Sequence, residues 1–237
     1  MRQYEHLQLG ADRLRVGPWR SDPDVAELAS VLNTRPVRRQ SIERGLEVLR
    51  SRGYRRVVTN ALTGPEQAAY LEVGFAVHER LHLLAHDMRR LPPAPTHVGL
   101  RRGRRRDRED ILAVDAAAFD PFWRLDELGL VDAISATPSS RVRVDAGRGV
   151  RGYAVTGRAG TRGYLQRLAV HPAHQSRGVG SALVVDALRW LRRRGCDLAM
   201  VNTQEVNGSA LQLYQHLGFG LRPDGLAVLV IDLGPTA

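Results

Sequence analysis

The chain has 237 residues, 43% apolar and 25% charged, the profile of a soluble globular protein with one large domain or two small ones. No apolar run is long enough to span a bilayer, the first six residues lack a signal peptide's apolar core, and the single cysteine, Cys196, has no internal disulfide partner; a reducing cytoplasm is therefore expected. The net charge of +10 rests on 35 basic residues, all of them arginine, a surplus that raises the local concentration of anionic ligands.

Apolar spacing at Ile42, Leu46 and Leu49 predicts a helix, which runs into Arg52-Gly53-Tyr54 and then into a strand at Val57-Val58-Thr59-Asn60. A second helix ends in Tyr70-x-x-x-Gly74-Phe75, and Leu81 to Ala85 reads as a strand. His78, His82 and His86 recur every fourth residue, which on a helix would suggest a metal site. On the predicted strand they stand about 13 Å apart, too far for one ion, so a polar sheet face is expected.

Leu91-Pro92-Pro93-Ala94-Pro95 cannot continue a helix or a central strand and reads as a linker, dividing the chain into 1–90 and 96–237. Thr96 to Leu100 is a predicted strand. The run Arg101-Arg102-Gly103-Arg104-Arg105-Arg106 lacks interleaved aromatics or a reading element, so it is expected to be a solvated loop and not a nucleic-acid site. Helices are predicted at Asp107 to Phe119 and Leu125 to Ile134, strands at Arg141 to Val144 and Val150 to Thr156 around a glycine-rich turn, and a further strand at Tyr164 to Val170.

The later half repeats the earlier one. Val184, Leu188 and Leu191 run into Arg194-Gly195-Cys196, then into Ala199-Met200-Val201-Asn202, then into Tyr214-x-x-x-Gly218-Phe219 and a final strand at Ala227 to Ile231. Two copies of a helix–strand–helix–strand unit predict an α/β fold with layered sheets. Too few residues lie between Trp19 and Arg35 for a hairpin like that of 141–156, so the first copy reads as abbreviated.

Chemistry concentrates in the second copy. Gln175-Ser176-Arg177-Gly178-Val179-Gly180 follows an apolar strand and opens a long helix. Its glycines let main chain approach a ligand, and the helix N-terminus aims unpaired N–H groups at an anion. In register, Arg177-Gly178-Val179-Gly180 falls opposite Arg35-Pro36-Val37-Arg38, where proline has no N–H and arginine adds bulk; the first copy is expected to bind no carrier, and Tyr70 to serve packing. Asn207-x-x-Ala210-x-x-x-Tyr214 sets a phenol downstream. Glu205 precedes that segment, as a candidate base or as a solvated helix-start residue.

Leu168-Ala169-Val170-His171-Pro172 through Gly180, with Asn207 to Phe219, resembles the GCN5-related N-acetyltransferases over most of 96–233, in a tandem arrangement whose N-terminal copy is degenerate. The resemblance implies a mixed-sheet α/β fold, acetyl-coenzyme A as co-substrate, no metal, and a primary amine as acceptor, whether a protein N-terminus, a lysine or a small metabolite. It further implies that Leu168 and Val170 pair through main-chain groups with the carrier's pantetheine arm. Gln175, Arg177, Gly178, Val179, Gly180 and Ser181 would wrap the pyrophosphate, Asn207 would bind the arm, and Tyr214 would protonate the leaving thiolate. An unperturbed phenol near 10 suits that donation. The acceptor cleft falls to Phe119–Ser140 and the domain junction, with Phe122 and Trp123 as candidates for an apolar wall or for core. A carrier-binding sensor without catalysis and a nucleic-acid binder are the rival readings.

Overall fold

A computed structural model describes residues 4–20, 22–31, 35–93, 99–147 and 149–234. In chain order the strands and helices begin with β1 (Glu5–Leu9), β2 (Asp12–Pro18), β3 (Val25–Ser30), α1 (Arg39–Ser51), β4 (Arg56–Thr59), β5 (Leu62–Thr63), α2 (Gly64–Glu72) and β6 (Ala76–His86). They continue with β7 (Leu100–Arg102), α3 (Arg108–Ala118), α4 (Glu127–Ser135), β8 (Ser139–Ala146), β9 (Val150–Ala159) and β10 (Arg162–Val170). The last are α5 (Val179–Arg193), β11 (Leu198–Gln204), α6 (Gly208–His216), β12 (Gly220–Leu221) and β13 (Leu226–Asp232). These elements form two compact units: residues through His82 with Gln204–Val206 and the segment from Pro223 onward, and Leu83–Thr203 with Asn207–Arg222.

In the first unit the sheet runs β1-β2-β3-β4-β13-β6. β1, β2 and β3 are antiparallel, β3 and β4 parallel, and β13 is antiparallel to both β4 and β6. The buried face of α1 (Ile42, Leu46, Leu49) covers Leu14, Leu28 and Leu229. A capping box opens α2: Glu66 accepts from Thr63 N–H at 2.8 Å and from its hydroxyl at 2.7 Å. Tyr70 is packed into the core edge-on to Phe75, as expected of a packing residue.

Between Trp19 and Arg35 the described residues hold one strand, β3, and no hairpin, as expected. The first unit's hairpin, which the sequence reading did not place, is β1 and β2, upstream of Trp19, where Leu14 and Val16 alternate with Arg13 and Arg15 in the period of a strand. One expectation changes: β13, which in chain order closes the later half, is a strand of the first unit, between β4 and β6. The units therefore do not divide at 91–95. Leu91 to Pro93 carry no regular structure, and Ala94, Pro95 and Thr96 to Val98 lie outside the described residues.

In the second unit the sheet runs β6-β11-β10-β9-β8-β7, with β12 on β6. Tyr153, Val155 and Ala169 face Ile111 and Val114 of α3 and Leu130 of α4. Alternate residues Ala154, Leu168 and Val170 pack instead with α5 and α6. Helices thus cover both faces. The predicted helix 107–119 begins after a single tight turn at Arg105–Asp107, and Arg102, Arg104, Arg105 and Arg106 are exposed. Among the described residues no helix is long and apolar enough to cross a membrane.

Candidate active site

β10 and β11 pair only over Arg162–Tyr164 and Leu198–Met200. Beyond that point β10 stays paired with β9 as far as Val170, and a bulge between Leu165 and Arg167 bends it. His171 N–H donates to the Arg151 carbonyl at 2.9 Å. Main-chain groups alternate in direction along an extended strand, so those of Leu168 and Val170 point the other way, to the side that β11 has left. These are the groups expected to take a pantetheine arm.

After a short turn at Pro172–His174, Ser176 (φ 58°) and Gly178 (φ 79°) turn the chain through left-handed conformations into α5. Gly178 is the N-cap, and no side chain caps the helix; its first N–H groups are free for an anion. The two glycines are required for different reasons. A Cβ on Gly178 would meet nothing within 4 Å, so its backbone angle demands glycine. A Cβ on Gly180 would lie 3.2 Å from Leu213 Cδ2, so this glycine also lets α5 and α6 close up. Gln175 Nε2 donates to the Val170 carbonyl at 3.1 Å, folding the loop over the strand end.

Leu168, Val170, Gln175, Gly178, Gly180, Ser181, Asn207 and Tyr214 line one cavity of about 570 Å³, ample for part of a large ligand. Arg177 is exposed and outside its wall, and Val179 is buried in the core, where only its main chain can serve a ligand. Glu205 is also outside the wall; it is exposed in the turn after β11, its N–H donating to the Arg80 carbonyl at 3.0 Å within the first unit. Among the described residues no group of three or more His, Cys, Asp or Glu could hold a metal ion.

Asn207 caps α6: its Oδ1 accepts from Ala210 N–H and from the Ser209 hydroxyl, both at 3.0 Å, which leaves its amide NH₂ for a ligand. Tyr214 is 4% exposed, with its ring 5.6 Å from Phe219. Burial pushes its phenol above the ordinary value, which corrects the expectation of an unperturbed group and keeps it protonated across the physiological range. Phe219 in turn meets the ring of His86 at 5.3 Å. His86 Nδ1 accepts from Met88 N–H at 3.0 Å, and burial holds this imidazole neutral by lowering its pKa.

One cluster escaped the sequence reading. Asp115 of α3, fully buried, accepts a two-point fork from Arg167 of β10 (2.7 and 2.8 Å), the Tyr153 hydroxyl (2.5 Å) and Leu125 N–H (2.7 Å). Arg167 also donates to the Trp123 carbonyl at 2.7 Å, and its guanidinium carbon sits 3.6 Å over the ring of Phe119, a wall residue of the cavity. Burial raises the Tyr153 phenol, so it stays a donor. Its acid and base lie 52 residues apart, and no local spacing betrays them.

Residues 112–219 match the Acetyltransferase (GNAT) family, so the later half carries an acetyltransferase domain of that superfamily. N-alpha-acetyltransferase 30 of Saccharomyces cerevisiae is 33% identical over 94 residues, 38% of this chain and 48% of that protein. Mycothiol acetyltransferase of Thermobispora bispora is 38% identical over 63 residues, 27% of this chain and 21% of that protein. The chain spans less than half the length of these curated relatives. Among solved structures, a tandem GNAT protein from the clavulanic acid biosynthesis pathway superposes with a TM-score of 0.67 at 16% identity, covering 97% of this chain and 82% of that one. A GCN5-related N-acetyltransferase from Kribbella flavida gives 0.66 at 16% identity, covering 98% and 90%. At such identity these two show the mixed α/β fold alone.

Proposed function

We propose that this domain moves an acetyl group from acetyl-coenzyme A directly to a primary amine. One observation carries the reading: the uncapped start of α5, the open main-chain edge of β10 and the Tyr214 phenol converge on a single cavity.

The chain's own groups divide the work. N–H groups of Gly178 to Ser181 hold the diphosphate, helped by the helix dipole. Leu168 and Val170 take the arm as an added strand, and Asn207 donates to it. Val170 N–H polarises the thioester carbonyl, the role of an oxyanion donor. As the N–C bond forms and the C–S bond breaks, Tyr214 gives its proton to sulfur. Of the ammonium's three protons one stays on the amide nitrogen, one leaves to water with exposed Glu205 as the carboxylate proposed to accept it, and one restores the Tyr214 phenol. Positioning supplies much of the acceleration, because a neutral amine attacks a thioester without a nucleophilic side chain or metal.

The names of the relatives support either a protein N-terminus or a small-molecule amine as acceptor. The first unit is read as an abbreviated copy without a carrier site, and the protein as cytoplasmic. Thiol release by the purified protein, measured against a panel of amines and peptide N-termini, tests the assignment. Turnover with at least one amine is expected. Saturable carrier binding without turnover on any amine would favour a sensor instead.

A further inference from the structure

The Asp115–Arg167 pair is more than a core ion pair, because of what it joins. Arg167 is the first paired residue after the β10 bulge and stands immediately before Leu168, whose main chain is proposed to hold the carrier. Its side chain leaves the strand on the same face as Ala169, the face covered by α3 and α4. The carrier's diphosphate site, at the start of α5, belongs to the other face, with Leu168 and Val170. An amine attacking a thioester laid along β10 must come from the face that α5 and α6 leave free. That is the face of Arg167.

On this face Arg167 touches one stretch of chain three times: the Phe119 ring, the Trp123 carbonyl and, through Asp115, the Leu125 N–H. The turn between α3 and α4 has no long helix or strand of its own, only a single tight turn at Pro121–Trp123. These bonds hold it, together with the packing of Phe119 and Leu125 against the core and the bond from Arg124 Nε to the Phe119 carbonyl. Asp115 is saturated by four hydrogen bonds, so the pair carries little free charge for a ligand, and its effect is geometric.

We propose that Arg167 is a positioning residue for the acceptor, fixing the 119–125 turn as the wall against which the amine is selected while leaving carrier binding intact. This rests on the reading of the cavity as an acetyl-transfer site. Only the fork geometry serves both Asp115 oxygens and the Trp123 carbonyl together, so a lysine keeps the charge and loses the register.

Two variants separate positioning from mere stability. Arg167→Lys should raise the acceptor KM by about 10- to 100-fold and change the ranking of amines, because small displacements at a reacting centre are costly. Its affinity for acetyl-coenzyme A, by calorimetry, should stay within about twofold. Tyr153→Phe, which removes one bond to Asp115 without touching the turn, should lower thermal stability and leave the ranking as in the parent. Hydrogen exchange decides the same point without turnover: Arg167→Lys should speed exchange at 119–125 and not at 175–182. Equal loosening of both segments, an unchanged turn, or an unchanged ranking of amines would overturn the inference. A parent protein silent toward every amine would count against acetyl transfer, and the exchange data would still decide the role of Arg167.

Discussion

Asp12 accepts both the main-chain N–H (3.3 Å) and the Nε (2.9 Å) of Arg38 at the start of α1, and the Ser41 hydroxyl at 2.7 Å. The first unit thus supplies its own anion to a helix N-terminus, where α5 of the second unit leaves its own uncapped. α1 is also the shorter helix, 13 residues against 15. Burial alone would raise the Asp12 carboxyl, but the bonds from Ser41 and Arg38 overcome it and hold it below the usual range.

With the carrier placed at the start of α5 alone, each chain binds one carrier. Calorimetric titration with acetyl-coenzyme A is expected to give one site per chain. Asp12→Ala should leave that stoichiometry alone and cost roughly 1–2 kcal/mol in a urea melt, the loss of a buried acceptor for Ser41 and for Arg38, which is half exposed. A stoichiometry of two would show that the first unit binds as well.

Asp107 makes the acid stability of the second unit testable. Hydrogen bonds from Arg101, working against burial, and one from Arg104 N–H hold its carboxyl at about 2, down from 3.8. A folded pKa below the unfolded one adds stability that is complete above the unfolded value and lost as pH falls from about 4 toward 2. The loss is expected to be on the order of 1–2 kcal/mol, since Arg101 is partly exposed. Urea midpoints at pH 5 and 2.5 should fall less for Asp107→Asn than for the parent protein; parallel falls would remove Asp107 from the account.

Tyr214→Phe should bind acetyl-coenzyme A within about twofold of the parent and lose on the order of 10²- to 10⁴-fold in kcat. Because burial raises this phenol, no alkaline loss of activity below about pH 10 should be traceable to it. Full turnover by the phenylalanine variant would take Tyr214 out of the mechanism.

Gly180→Arg, which copies what Arg38 offers in the first half, should abolish carrier binding. Gly178→Ala should fold at a cost of about 1 kcal/mol, from its left-handed backbone alone. Normal calorimetric binding by the arginine variant would mean that the diphosphate does not rest on this loop.

What could be read from the sequence was local. Gln175–Gly180 and Asn207–Phe219 are short patterns in which each residue acts within a turn or two, so spacing put Gly178 at a helix start, and the resemblance to the GCN5-related family put Tyr214 beside the carrier. The reason for Gly180 was half legible, because contact with Leu213 is a tertiary fact. The hairpin of β1 and β2 was open to reading in the alternation of Arg13, Leu14, Arg15 and Val16, whereas the place of β13 depends on pairing with Val57 and Val58, far away in the chain. Asp115 and Arg167 lie 52 residues apart, and only the fold joins them.

The most direct measurement is the electron density of a crystal soaked with acetyl-coenzyme A. Diphosphate is expected on the amides of residues 178–181, with the arm running beside Leu168 and Val170 toward Tyr214. Density for the carrier at the start of α1, or none at this loop while the ligand is bound elsewhere, would contradict the assignment of the site.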